Sequence, residues 1–406
     1  MREPSAKFLV GPRYKRSAVG TIPADWGDPV FGHLYSEPSR NGIYKTSEFH
    51  GRGTRIVNMG EMFGLEFISD QEMNRVELTS RELAVSSLKD GDLLFGRRSV
   101  VPSGAGKCSM VVLPTEPITF ESSIIRVRLD NSIVCPRFYY YFFASPIGRT
   151  TVGAIVAGTN VKGIRATELR ELTIPLPTKA EQEAIAEALS DADALIESLD
   201  QLVAKKRQIK QGTMQELLTG KRRLPGFSGE WVLKRLGEIA NIKTGARNNQ
   251  DKVEDGAYPF FVRSSTVERI NSFSYDCEAI LIPGEGGIGN IFHYVFGKFD
   301  VHQRVYAITR FSSETSGKFV YFYMATKFGA HAMENSVKAT VDSLRLPTFL
   351  DFEITMPPTF DEQTAIAAVL SDMDAELSTL ESRLAKARQI KQGMMQELLT
   401  GRIRLL

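Results

Sequence analysis

The chain has 406 residues, and its 50 Lys and Arg nearly balance its 48 Asp and Glu, so the formal net charge is only +2. A composition of 42% hydrophobic and 24% charged residues is typical of a soluble globular protein, the length favours at least two domains, and any affinity for a polyanion depends on where the charges lie. The absence of a signal-peptide-like start, of an apolar run of roughly 18 residues and of CxxC pairing among Cys108, Cys135 and Cys277 predicts a cytoplasmic protein with no membrane segment.

Residues 1–176 form the first predicted domain. β-branched and aromatic runs such as TRIVNM, GDLLFG and IIRVRL are separated by Gly, Pro and Asn, which is typical of short strands. A helical segment, RFYYYFFASPIG, begins at Arg137. The pattern predicts an α+β domain but leaves the strand order open.

Residues 177–223 predict a first long helix. Apolar residues recur at alternating spacings of four and three, the pattern of a coiled-coil seam: Ile185, Leu189, Ala192, Ile196, Leu199 and Val203. Thr178 is placed to act near the N-cap, and Gly220 in LLTG is placed to end the helix. Counted from Glu181 to Leu218, the helix is about 57 Å long at 1.5 Å per residue.

Residues 224–356 form the second predicted domain, also α+β, with strand-like EAILIPG and RVYAIT and helical VYFYMATKFG. Its GEGGIG run matches GxGxxG, but the following NIFHYVFGKFD is typical of a strand, whereas a dinucleotide site requires a helix there. In the first domain, SGAGKC resembles a phosphate-binding loop but has Val101 for the first glycine and Cys108 for the Ser or Thr. Neither run predicts nucleotide binding.

Residues 357–406 repeat the first long helix. Pro177 to Leu224 corresponds to Pro358 to Leu405 at an offset of 181 residues, and KRQIKQGTMQELLTG returns as ARQIKQGMMQELLTG. The second seam consists of Ile366, Leu370, Met373, Leu377, Leu380 and Leu384. IPADW, which ends at Trp26, and FSGEW, which ends at Trp231, also correspond, whereas much of the sequence between anchors cannot be aligned.

An amphipathic helix this long needs a partner, and its own duplicate is the obvious one. Antiparallel pairing places the end of the first helix near the start of the second, so the second domain need not bridge the helix length. We therefore predict an α+β fold in which two globular domains are joined by two long antiparallel coiled-coil helices with pseudo-twofold symmetry. The N-terminal segment is then expected near the C-terminus.

The sequence offers no recognisable catalytic centre. No Asp or Glu is followed two residues later by Lys in a nuclease-like pair, no NPPY-type tetrapeptide is present, and the five histidines lack metal-ligand spacing. We expect a non-enzymatic chain without cofactor or metal.

The duplicated helix with EQ at Glu181 and Gln182 and at Glu362 and Gln363, the repeated LLTG and the segment GEWVLKRLGEIANIKTG resemble the specificity subunit of type I restriction-modification systems. The resemblance implies double-stranded DNA as a partner and a bipartite asymmetric target, with one half-site per target-recognition domain. It also implies two modification subunits, which carry S-adenosylmethionine-dependent methyltransferase chemistry, and restriction subunits. A coiled-coil scaffold with protein-binding terminal domains is the alternative interpretation, and an enzyme with an unrecognised site is a third.

Arginine can contact guanine and asparagine can contact adenine in the major groove, so polar loops of the two domains supply the DNA-binding candidates. Lys162 and Lys338 precede the long helices and are expected to contact phosphates. The remaining candidates are Arg52, Arg55, Asn58, Arg97, Arg98 and Lys107 in the first domain, and Arg247, Asn248, Asn249, Arg263, Ser264 and Ser265 in the second. With half-sites one DNA turn apart at about 34 to 36 Å, helices of about 57 Å predict centres between one and two turns apart.

The basic helix segments leave three interpretations open. Their side chains contact DNA, bind the modification subunits or face solvent: Lys205, Lys206, Arg207, Lys210, Lys386, Arg388 and Lys391. Because the segment is duplicated, binding of two identical partners is favoured. Gly212 and Gly393, each costing about 1 kcal/mol inside a helix, suggest a close backbone approach there.

Overall fold

The computed structural model describes residues 14–101, 104–335 and 343–405. These residues belong to two compact units. The first unit comprises the chain up to Ser198 together with the residues from Leu384 onward, and the second comprises Leu199–Arg383. The division falls inside both long helices, so each helix contributes residues to each unit.

The described strands of the first unit are β1 (Tyr14–Ser17), β2 (Gly20–Pro23), β3 (Tyr35–Asn41), β4 (His50–Val57), β5 (Phe67–Ile68), β6 (Arg75–Val76), β7 (Leu93–Gly96), β8 (Arg98–Ser99), β9 (Cys108–Val111), β10 (Ile118–Phe120), β11 (Ile124–Leu129) and β12 (Lys162–Gly163). The helices are α1 (Met59–Gly64), α2 (Ser80–Ser86), α3 (Pro136–Ala144), α4 (Pro146–Gly153), α5 (Ala166–Arg170) and part of α6 (Lys179–Leu217). A five-stranded sheet has the order β3-β11-β7-β9-β5, and a three-stranded sheet has the order β10-β4-β6. Both are mixed, since β5 with β9 and β10 with β4 are parallel pairs.

The five-stranded sheet is covered on both faces. Alternation along β11 directs Ile125 and Val127 into the main core, while Ile124 enters a second apolar cluster. The main core is rich in aromatic residues from α3, and Phe143 packs edge-to-face on Phe95 with ring centroids 5.0 Å apart. The predicted helical segment is divided at Ser145, which caps α4, because Pro146 cannot continue α3.

The described strands of the second unit are β13 (Val232–Arg235), β14 (Asn241–Thr244), β15 (Tyr258–Phe261), β16 (Val267–Ile270), β17 (Tyr275–Pro283), β18 (His293–Val301), β19 (Val305–Thr309) and β20 (Glu353–Met356). The helices are α7 (Leu236–Ile239), α8 (Gly317–Glu334), α9 (Leu346–Leu350), the rest of α6 and part of α10 (Phe360–Leu398). Six strands form one sheet in the order β14-β19-β17-β18-β15-β16. β13 pairs with β20, so the first and last strands of this domain lie side by side.

Ion pairs inside each unit fix the orientation of the long helices. In the first unit Lys391 of α10 pairs with Asp193 of α6. In the second unit Lys210 of α6 pairs with Asp374 of α10. Both pairs join the earlier half of one helix to the later half of the other, so the helices are antiparallel, as the sequence predicts. The two pairs are also related by the 181-residue offset.

The seam predicted from the heptads is confirmed. Its members are buried or partly buried: Ile185, Leu189, Ala192, Ile196, Leu199, Val203, Ile366, Leu370, Met373, Leu377, Leu380 and Leu384. Next to the seam in the second unit, Lys206 pairs with Glu376 at 2.7 Å and Arg207 with Glu381 at 2.6 Å. At least four of the seven basic helix residues therefore have carboxylate partners on the opposite helix, a role that the three sequence-based interpretations did not include.

The repeated EQ pair anchors each long helix to its globular domain. The Gln182 side chain accepts a hydrogen bond from the Cys135 backbone and donates one to the Pro177 carbonyl, both at 2.9 Å. Gln363 does the same with Ser316 and Pro357, again at 2.9 Å. Because Cys135 and Ser316 immediately precede α3 and α8, each glutamine ties the start of a long helix to an aromatic helix of the domain core.

The glutamates of the same motif hold the ends of the helices. Glu181 accepts hydrogen bonds from the Trp26 indole at 3.0 Å and from Arg404, and Arg404 lies 5.7 Å from the Trp26 ring centroid. Glu362 accepts two hydrogen bonds from Arg223, which lies 5.9 Å from the Trp231 ring centroid. The arginine–glutamate pair beside a tryptophan ring thus forms in both units, whereas the Trp26–Glu181 hydrogen bond has no counterpart at Trp231 among the described residues.

The termination signals are confirmed as well. Gly220 and Gly401 follow the helix ends with φ of +70° and +68°, a conformation that favours glycine. Arg404 also pairs with Asp25 at 2.9 Å. The last described segment therefore lies against the N-terminal one, as predicted.

Candidate DNA interface

The first domain brings the adjacent predicted residues Arg97 and Arg98 together with Lys162, which is distant in the sequence. β8 and β12 pair so that Gly163 lies opposite Arg98 and Lys162 lies opposite Ser99. The backbone N–H of Ile164 donates to the Arg97 carbonyl at 3.0 Å. This short two-stranded element therefore places Arg97, Arg98 and Lys162 side by side.

These side chains line a depression together with Arg165, and they face one carboxylate there, Glu168. Arg165 is 79% exposed and pairs with Glu168 at 3.4 Å. Arg98 also lines a neighbouring, mostly apolar depression with Lys107, whose ammonium donates to the Phe63 carbonyl. We name Arg97, Arg98, Lys107, Lys162 and Arg165 the first-domain basic surface.

The other three first-domain candidates have partners of their own. Arg55 is only 11% exposed and pairs with Asp70 at 3.0 Å and Glu116 at 3.1 Å. Arg52 is exposed, and both oxygens of Glu77 accept hydrogen bonds from it. Asn58 precedes α1, where its backbone N–H donates to Glu61 at 2.9 Å. These three stay candidates from sequence alone, and none lines the first-domain basic surface.

In the second domain the ARNNQDK loop is tied to the sheet below it. Arg247 donates to the buried carboxylate of Asp300 at 3.1 Å, and Ser272 donates to the same oxygen at 2.9 Å. Asn248 caps a short 3-10 helix, Asn249–Asp251, and its side chain accepts a hydrogen bond from Gln303. The loop is thus held in place, with Asn249 exposed at its tip.

Asn249 is part of a depression that also contains two other predicted residues. We call it the second-domain depression, and its lining is Asn249, Lys252, Val262, Arg263, Ser264, Glu268, Glu285 and Gly286. Ser265 is exposed in the adjacent turn. Lys338, the remaining predicted residue, lies outside the described residues. Sequence inspection missed Lys252, although it ends the ARNNQDK run, and Glu285.

His302 lies close to Arg263 of this depression and to Arg304. It is buried, and burial together with Arg263 and Arg304 lowers its pKa. Its Nδ1 accepts a hydrogen bond from the Arg304 backbone at 3.0 Å, which requires that nitrogen to be unprotonated. At neutral pH the imidazole therefore acts as a structural acceptor.

The two motif lookalikes belong to these surfaces. GEGGIG leads into β18, a strand, as expected from the sequence. Within SGAGKC the described part leads into β9, also a strand, rather than the helix that a phosphate-binding loop requires. Their residues Glu285, Gly286, Gly104 and Lys107 line the depressions described above.

The first domain thus presents arginine and lysine side chains at one place, and the second presents arginine, lysine, amide and hydroxyl side chains. These are groups that contact phosphates and base edges. Among the described residues, no group of three or more His, Cys, Asp or Glu side chains is arranged to hold a metal ion. In the same part of the chain, no helix is long and apolar enough to cross a membrane.

Comparison with known proteins decides the family. Residues 50–210 and 228–391 match the model of the type I restriction modification DNA specificity domain. The chain belongs to the type I restriction-modification DNA specificity family. It is a DNA-specificity subunit, and the two matched ranges contain both surfaces described above.

Relatives of this specificity subunit agree. The chain is 31% identical to the EcoDI type I restriction enzyme specificity subunit of Escherichia coli over 42% of its own length and 37% of that protein. It is 24% identical to the StySPI specificity subunit of Salmonella potsdam over 77% of its length and 74% of that protein. The chain spans little more than a third of the first relative, whereas the second alignment includes most of both chains.

Among solved structures, the S subunit of a type I restriction-modification system from M. genitalium has a similar fold. The TM-score is 0.64 at 19% identity, and the match covers 92% of this chain and 96% of that one. The two-domain fold with paired long helices is therefore that of type I specificity subunits.

Proposed function

We propose that this specificity subunit reads a bipartite, asymmetric DNA target with one half-site per globular domain. The proposal rests on a contrast. The ion pairs that join the two long helices recur at the 181-residue offset, whereas the surfaces proposed to contact DNA do not recur. Lys391 with Asp193 and Lys210 with Asp374 are equivalent pairs. In contrast, the first-domain basic surface and the second-domain depression are built from unrelated residues on different sheets. Different surfaces on a repeated frame suit two different half-sites.

The repeated frame also suits two copies of one protein partner. On each long helix an exposed face carries a lysine, an isoleucine and a glycine at helical spacing. These are Lys205, Ile209 and Gly212 on α6, and Lys386, Ile390 and Gly393 on α10. Ile209 is 43% exposed and its equivalent Ile390 is 52% exposed. Nothing within 4 Å would meet a Cβ added at Gly212 or Gly393. The close approach suggested by these glycines is therefore absent within the described chain, and the space is open to a partner.

We propose that two modification subunits bind these faces and that restriction subunits join them in the full assembly. In this division of labour the modification subunits carry the methyltransferase chemistry and S-adenosylmethionine, and the specificity subunit is non-catalytic and acts in the cytoplasm. A neighbour in the structural comparison, with a TM-score of 0.51, is described in terms of complex assembly of the type I system. Duplicated docking faces fit such an assembly.

The test is to express the chain with the modification subunit encoded beside it and to map methylated bases by sequencing. The proposal predicts methylation at a bipartite motif with two different half-sites. A protein-binding scaffold predicts no motif, and an enzyme with its own site predicts modification or cleavage by the purified chain alone.

Replacing both Gly212 and Gly393 with alanine separates chain stability from assembly. Each methyl group enters open space in a helix interior, so each change should raise stability by up to about 1 kcal/mol. The same methyl groups should block close approach by a partner and weaken assembly with the modification subunit by about tenfold, or about 1.4 kcal/mol. Urea unfolding and titration calorimetry measure the two effects.

The matched control is Gly60→Ala, which adds a methyl group in open space at an exposed glycine of α1, outside both long helices. It should leave assembly unchanged. If the variant with both glycines replaced assembles at wild-type affinity, the proposed docking face is contradicted.

A further inference from the structure

The second-domain depression contains a carboxylate that a surface selected only for affinity to DNA would not have. Glu285 accepts a hydrogen bond from Arg304 at 3.0 Å and a longer one from Arg263 at 3.4 Å. The side chain keeps 25% of its exposure, and the two arginines keep 58% and 44%. Three charged groups thus meet at the surface that we propose for the DNA half-site.

The backbone of Glu285 is held in place on both sides. The Gly284 N–H donates to the Arg304 carbonyl, and the Leu344 N–H donates to the Gly284 carbonyl, both at 2.8 Å. Glu285 itself forms a β-bridge with Ser343. Gly286 and Gly287 then turn the chain with φ of +68° and +65°, which favours glycine. The GEGGIG run therefore fixes the backbone position from which this carboxylate extends.

For sequence-independent binding Glu285 is a disadvantage. Its charge is repelled by DNA phosphates, and it neutralises two arginines that are suited to phosphate or guanine. A carboxylate such as that of Glu285 does not interact equally with the four bases in the major groove. Guanine N7 and O6 and thymine O4 are acceptors and repel it. Cytosine offers only the N4 amino donor there, which a carboxylate accepts, whereas adenine pairs its amino group with an N7 acceptor and suits an amide.

We propose that Glu285 is a specificity-determining residue that accepts a hydrogen bond from the N4 amino group of a cytosine in the half-site read by the second domain. Arg263 and Arg304 leave the carboxylate on binding and contact phosphate or guanine. The half-site of the second domain then contains a C·G pair. This inference rests on the proposed function and assigns part of its target.

Glu285→Gln tests the proposal, because it keeps the shape and one acceptor but removes the charge and adds a donor. Methylated bases are mapped in cells that express each variant with the modification subunit. The wild type should require cytosine at one position of one half-site. The variant should lose about tenfold or more of its discrimination at that position alone, and binding of the complex to unrelated DNA should become tighter because two arginines lose a negative neighbour.

Glu116→Gln is the matched control. Glu116 also bridges two arginines, Arg55 at 3.1 Å and Arg75 at 3.2 Å, but it does not line the second-domain depression. This variant should keep the wild-type motif. An unchanged motif and selectivity in the Glu285→Gln variant would overturn the proposal, as would wild-type half-sites without any C·G pair.

A second measurement needs no variant and stays decisive if Glu285→Gln does not fold. Each cytosine of the half-site is replaced in turn by 2-pyrimidinone, which lacks the amino group, and binding of the wild-type complex is measured. One position should lose about tenfold in affinity or more, and equal affinity at every position would contradict the proposal. If the wild-type complex shows no sequence-specific methylation at all, it is the proposed function itself that fails.

Discussion

Replacing Arg404 with alanine is expected to destabilise the first unit by about 3 to 5 kcal/mol, because removing one partner of a buried ion pair leaves the other charge uncompensated. Glu181 is fully buried, and Arg404 is only 14% exposed. Arg223→Ala should have a similar effect on the second unit, where Glu362 is 1% exposed. The Trp26 indole still donates to Glu181, so the first unit is the better compensated of the two. Urea unfolding of each variant measures the loss.

Arg402→Ala is the control for this prediction. Arg402 lies two residues from Arg404 and pairs with Glu397 at 3.4 Å, but its side chain is 57% exposed. Exposed pairs contribute about 0.2 to 1 kcal/mol. Equal stability of the Arg404→Ala and Arg402→Ala variants would show that the buried pair does not hold the helix end.

Removing two charges from the first-domain basic surface should weaken DNA binding at every sequence. We assign Arg98, a base-contact candidate from the sequence, to phosphate because it lies beside Lys162, so Arg98→Gln combined with Lys162→Gln should remove two phosphate contacts while β8 and β12 keep their backbone pairing. The slope of log affinity against log salt should fall by about 1.8, at about 0.9 for each phosphate, while the preference for target over unrelated DNA changes little. Fluorescence anisotropy of the assembled complex over a salt series gives both quantities.

A control of equal charge change is Arg81→Gln combined with Lys89→Gln, two exposed residues outside that surface. It should keep the wild-type slope. A slope as steep as the wild type in the Arg98 and Lys162 variant would place the phosphates elsewhere.

The pair of long helices, α6 and α10, was predictable from sequence because the signals for it are local and occur twice in the chain. Heptad spacing gives the seam, which burial confirms, and the caps give the helix ends, which the positive φ of Gly220 and Gly401 confirms. Chain connectivity gives the antiparallel direction, which the ion pairs inside each unit confirm. The EQ motif was visible, but its role was not, since Glu181 and Arg404 are 223 residues apart in the sequence and meet only after folding.

The recognition surfaces were less predictable because they depend on contacts between distant segments. Arg98 and Lys162 lie side by side because β8 pairs with β12, and no periodic pattern in the sequence predicts this pairing. From the sequence, Arg55 and Arg98 are equally good candidates for DNA binding. Only the three-dimensional fold shows that Arg55 lies between Asp70 and Glu116. Glu285 lies in a glycine run that resembles a nucleotide-binding motif, and nothing in that sequence pattern indicates a role for its one charged side chain.

The proposal that each domain reads its own half-site is tested most directly by exchanging one recognition domain while both long helices stay unchanged. Residues 232–356 are replaced by the corresponding segment of another type I specificity subunit, and methylated bases are mapped with the same modification subunit. We expect one half-site to change to that of the donor protein while the other half-site is retained. Loss or alteration of both half-sites in a complex that still assembles, or retention of both, would contradict the proposal.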